Sequence, residues 1–126
     1  MNDRSRHDND FDFSAALVRM LGEIDIYRSF SVGFIADGPD WLQRVSAWVT
    51  DGQFECAAEK MHRLKGVAAQ LGCLKLHGLL ASGLEEFARS GEIAEITLRE
   101  TESAYRSALI SVAAFLQLHG DEEGVR

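Results

Sequence analysis

Apolar residues recur at three- and four-residue spacing along nearly the whole chain, and no strand-like alternation persists. That period commits the chain to helices. Each helix carries one apolar stripe, which must be hidden against another helix. Pro39 is the single proline, and the glycines mostly fall where a helix would end. A length of 126 residues suits one domain with a real core and is short for two.

The stripes divide the chain into segments. The first dozen residues carry no pattern and read as disordered. A short helix is expected over residues 14–20, closed by Gly22. A long segment over residues 23–51 follows, with Ile26, Phe30, Phe34, Trp41, Leu42, Val45 and Val49 as its apolar face. "DGPD" at residues 37–40 interrupts it, since proline removes a helix hydrogen bond and disfavours helical geometry at Gly38. The face resumes promptly, so one kinked helix is expected. A third segment, residues 53–70, has a continuous stripe of Phe54, Ala57, Ala58, Met61, Leu64, Ala68 and Leu71, and Gly72 stops it. A fourth, residues 73–90, carries Leu76, Leu79, Leu80, Leu84 and Phe87. The last, residues 93–118, carries Ile96, Leu98, Tyr105, Leu109, Val112, Phe115 and Leu116, with His119 and Gly120 closing it.

The connections are only a few residues long, and short connections join antiparallel neighbours. The expected architecture is all-α: an up-and-down antiparallel four-helix bundle with a short N-terminal helix. Residues 11–120 form the bundle, between a disordered segment at 1–10 and a disordered tail at 121–126.

Charge and composition exclude several roles. No run of about 18 apolar residues is present, so no membrane contact is expected. The polar start "MNDRSRHDNDFDF" lacks a signal-peptide core. Two cysteines, Cys56 and Cys73, make no disulfide framework, which suits a cytoplasmic setting. A net charge of −7 argues against nucleic acid as a partner. The charge is uneven, however. Residues 54–77 hold Lys60, Arg63, Lys65 and Lys75 against Glu55 and Glu59, or +2. Residues 85–102 hold six glutamates against Arg89 and Arg99, or −4. A locally basic patch on an acidic protein favours arrival of an anion there, although such runs also serve as plain solvated faces.

Within the basic patch lies "KMHRLKGVAAQLGC", residues 60–73. His62, Lys65, Gly66 and Ala69 sit at i, i+3, i+4 and i+7 and share one helix face. Met61, Leu64 and Ala68 fall on the neighbouring inward stripe, so His62 points outward. Glycine costs about 1 kcal/mol against alanine in an exposed helix interior. Close approach of another surface would explain Gly66. His62 taken alone reads as an ordinary surface histidine.

Taken together, His62, Leu64, Lys65, Gly66, Ala68, Leu71 and Gly72 resemble the signature of histidine-containing phosphotransfer (HPt) domains of two-component phosphorelays. The likeness extends over nearly the whole chain. It implies that His62 is the phosphoacceptor and Lys65 steadies the phosphoryl oxygens. It further implies a docking surface of Gly66, Arg63, Ala69, Gln70 and Glu59. The implied partners are response-regulator receiver domains, with a hybrid histidine kinase as a further candidate. The implied molecule is a monomeric phosphocarrier rather than an enzyme. It has no cofactor of its own, because Mg²⁺ and the aspartate come with the receiver. No "GxxxxGK[ST]" or glycine-rich lid offers an ATP site. One departure is that the family's polar residue that orients the histidine ring falls near Gly83 and Leu84. Ser82, Glu85 or Glu86 is left to replace it. The alternative is a helical binding module that docks and regulates a signalling protein without transfer.

The remaining candidates read as structure. Cys73 and His77 are four apart, but zinc wants three or four ligands and no third stands at matching spacing, so no metal site is expected. His7 and His119 read as solvated, Cys56 as a small core or edge residue, and Trp41 with Trp48 as packing on one face. "FSVGF" at residues 30–34 reads as core.

Overall fold

A computed structural model describes residues 10–124. Its helices are α1 (Phe13–Arg19), α2 (Ile24–Thr50), α3 (Phe54–Leu71), α4 (Leu74–Ser90) and α5 (Glu95–Gly124). Among the described residues no strand forms; Phe11 and Cys73 make one isolated bridge. The four long helices pack in a closed cycle, α2 on α3, α3 on α4, α4 on α5 and α5 on α2, and α1 lies against α2 and α3.

α2 runs through Pro39 as one helix. Proline crowds the amide and Cβ of the residue before it, but that residue is Gly38, which has no Cβ. A Cβ there would stand 2.9 Å from a δ-methyl of Leu109 on α5. The same glycine therefore tolerates the proline and lets α5 approach.

The stripe of α2 departs from expectation in its first half. Tyr27, Ser31 and Phe34 are buried, whereas Ile26 and Phe30 are 41% and 42% exposed. Only part of "FSVGF" is thus core: Phe30 and Val32 face outward. Polar residues take the inward places because their polar atoms find partners. Tyr27 donates to the Leu71 carbonyl at 2.7 Å, and Ser31 donates to the Arg28 carbonyl at 2.8 Å. Tyr105 on α5 likewise donates to the Phe34 carbonyl at 2.9 Å. Among the described residues no buried side-chain polar atom is left unbonded, which avoids the penalty of about 1–3 kcal/mol for each orphaned group.

α3 follows its expected stripe closely: Ala57, Ala58, Met61, Leu64, Ala68 and Leu71 are all buried. Its C-terminal carbonyls are fully used. Gly72 adopts left-handed geometry at φ 84°, and Cys73 N–H donates to the Ala68 carbonyl at 2.9 Å. Arg19 donates to the carbonyls of Ala69 at 2.9 Å and Gln70 at 3.5 Å. Leu71 receives Tyr27, and Asp12 N–H donates to the Gly72 carbonyl at 2.8 Å. α1, α2 and the segment before α1 thus all grip one end of α3.

On α4, Leu76 and Leu80 are buried and Leu79, Leu84 and Phe87 pack against the core. Glu86 accepts hydrogen bonds from Ala94 N–H at 2.7 Å and Thr97 Oγ1 at 3.1 Å, anchoring the start of α5. α5 does not close at His119 and Gly120 but continues to Gly124. The His119 ring packs on Phe115 with centroids 4.6 Å apart, and Phe115 stacks on Phe13 at 4.8 Å, so this turn is held rather than solvated. Ile96, expected on the inward stripe, is exposed, and Ile93 is buried instead. Of the expected disordered ends, residues 1–9 and 125–126, and His7 with them, lie outside the described residues.

Candidate functional site

The inward stripe fixes the roll of α3, and the roll fixes which residues face out. With Met61, Leu64 and Ala68 buried, Glu59, His62, Arg63, Gly66 and Gln70 are exposed, while Lys65 and Ala69 are half-buried. All seven lie along one side of the helix, as their spacing demands. A Cβ on Gly66 would meet no atom within 4 Å. The glycine therefore leaves bare surface one turn beyond the imidazole and has no packing reason to be there.

No hydrogen bond or ion pair among the described residues holds the side chains of Glu59, His62, Arg63 or Lys65. An uncommitted ammonium three residues from an exposed imidazole can meet an anion that reaches the ring. Arg63 lines a groove of about 340 Å³ between α2 and α3, together with Phe30, Gly33, Asp37, Lys60 and Val67. Sequence reasoning placed Phe30 in the core and so missed this groove. Gly33, a glycine within the helix three residues from Phe30, is the signal that was available.

Among the described residues no side chain holds the ring of His62 in a fixed orientation. Gly83 is filled by Met61, whose ε-methyl lies 2.6 Å from where a glycine Cβ would stand. Leu84 packs against the core, and Glu86 is committed to α5. Ser82 and Glu85 are exposed on α4.

Cys73 is buried, and burial pushes its thiol up to about 12. A thiol held protonated is a poor metal ligand. Among the described residues no group of three candidate ligands converges on a metal-sized site. Cys56, expected at the core or its edge, is exposed near the start of α3. It points away because the inward places of that turn belong to Ala57 and Ala58.

His77 has a different environment from the one its spacing suggested. Its Nδ1 lies 3.2 Å from the carbonyl oxygen of Lys65, across the α3–α4 contact. A carbonyl only accepts, so Nδ1 carries the proton and donates. Gly78, immediately after it, is again a helix glycine whose Cβ would meet nothing within 4 Å.

Comparison of the chain with family models, curated proteins and solved structures gave no match in any of the three.

Proposed function

We propose that this chain is a phosphorelay carrier of the HPt kind, an antiparallel four-helix bundle with a short N-terminal helix. It takes a phosphoryl group onto His62 from a receiver aspartate and passes it to another receiver. The observation that carries this reading is the open face one turn beyond an exposed, uncommitted imidazole, at Gly66. A protein partner can approach that face closely, as in-line transfer requires: reacting atoms must come within about 3–3.5 Å.

The chemistry needs little from this chain. A neutral imidazole is a good nucleophile near neutral pH. Its nitrogen lone pair attacks phosphorus, the bond from phosphorus to the aspartyl oxygen breaks, and the carboxylate leaves. Charge on the three phosphoryl oxygens is met by Lys65 on this side and by the receiver's Mg²⁺ on the other. Arg63 and the groove beside it would extend the contact onto α2. The chain makes no phosphoryl group from ATP in this scheme and acts in the cytoplasm as a monomer.

The second reading is a module that docks without transfer. Among the described residues no side chain fixes the His62 ring, and that is what favours it. Residue-level mapping of phosphohistidine after incubation with phosphorylated receivers decides between the two. Transfer puts label on residue 62, and docking alone gives a complex without label.

A further inference from the structure

We propose that His77 is a second phosphorylatable imidazole, open to small anionic phosphodonors. A half-buried histidine whose Nδ1–H is tied to a backbone carbonyl has a fixed ring and a fixed tautomer. Its neutral form must carry the lone pair on Nε2. The nucleophile is therefore prepared in advance, which is the role second-partner hydrogen bonds play for histidines elsewhere. His62 has the better access, and His77 has the better orientation.

The surroundings suit an anion. The carbonyl that holds His77 belongs to Lys65, whose ammonium has no partner among the described residues. One turn on, about 6 Å by the rise of a helix, the Ala69 carbonyl holds the guanidinium of Arg19. Arg19 is exposed and gives only one terminal nitrogen to the Ala69 and Gln70 carbonyls, leaving its other donors to solvent. Among the described residues neither Lys65 nor Arg19 forms an ion pair with a carboxylate.

With phosphoramidate as donor, the Nε2 lone pair forms the bond to phosphorus, the donor's nitrogen–phosphorus bond breaks, and ammonia leaves. Nδ1 keeps its proton and its bond to Lys65, so the product ring is an imidazolium beside that carbonyl. No proton has to leave the ring during attack. This assignment shares phosphodonor chemistry with the proposed function but rests on different atoms, and mapping by residue separates them.

The test is phosphoramidate labelling of the full chain as wild type, H62Q and the H62Q/H77Q double variant, with sites mapped by mass spectrometry under alkaline conditions. The expected result is acid-labile label at residue 77 in the wild type and in H62Q, with complete loss in the double variant. A further Arg19→Ala change in H62Q should lower that label severalfold. Label at residue 62 alone in the wild type, with none in H62Q, overturns the inference and leaves His77 as a clamp between helices. Label at residue 77 alone supports it while removing His62. No label on either overturns both.

Discussion

Met61 of α3 fills the place that a side chain on Gly83 of α4 would occupy, with its ε-methyl 2.6 Å from that Cβ position. Met61 is one of the six buried residues that together set the roll of α3. Successive residues on a helix are turned by about 100°, so an inward Met61 leaves His62 facing out. Gly83 leaves room for that inward side chain.

Gly83 and Gly66 should therefore respond to different extents to the same change. Gly83→Ala asks the flexible end of Met61 to shift, which offsets part of the up to about 1 kcal/mol gained in helix propensity. The expected gain is smaller than that of Gly66→Ala. Gly66→Ala meets no atom within 4 Å and should gain up to about 1 kcal/mol. Denaturant unfolding of the two variants checks this; a gain at Gly83 equal to or larger than that at Gly66 would refute the packing account.

Gly66→Gln separates docking from folding. The long side chain enters open space, so the melting temperature should stay close to that of wild type. Transfer from a phosphorylated receiver should fall sharply, because bulk one turn from His62 holds the two surfaces apart. Labelling of His62 by phosphoramidate should survive, since a small molecule needs no broad approach. If both reactions fall together, Gly66 acts on the site in some way other than docking.

Lys65→Ala should leave the fold intact, because no side-chain bond or ion pair among the described residues depends on its ammonium. The His77 contact uses the Lys65 carbonyl, which alanine retains. Receiver transfer should slow by an amount equivalent to about 1–3 kcal/mol, the range for hydrogen bonds to charged groups. Single-turnover rates give the answer, and an unchanged rate would take Lys65 out of the site.

Alkaline pH should weaken the fold. Burial raises the Cys73 thiol from 9.0 to about 12 and raises the Tyr27 and Tyr105 hydroxyls above their usual 10.0. The folded chain holds these protons more tightly than the unfolded chain does. Their contribution is thus complete below about pH 9 and is lost as pH rises through the folded values. Melting temperature should decline from about pH 9 upward, with Cys73 leading. Exposed Cys56 should react with a thiol reagent in the native state and Cys73 only on unfolding. A flat profile to strongly alkaline pH would contradict this.

α3 was legible in the sequence because its stripe is unbroken and its neighbours are polar: every residue assigned inward is buried, apart from half-buried Phe54. The first half of α2 was not legible. Periodicity favoured Ile26 and Phe30, but Tyr27 and Ser31 hold the inward places, through hydroxyl bonds to carbonyls that sequence alone does not reveal. The outward line from Glu59 to Gln70 followed directly from spacing. The His77–Lys65 bond and the Arg19 grip on Ala69 did not, because each joins two helices and depends on their register. Gly78 follows His77 directly and so lies about 100° round the helix from it, unlike Gly66, which lies one turn from His62.

The most direct test of the central claim is to incubate the full chain with a panel of phosphorylated receiver domains and map any label by residue. The account predicts acid-labile, base-stable phosphate on His62, lost in His62→Gln while the fold is kept. Acid-stable label, or receiver-dependent label that persists in His62→Gln, would contradict it.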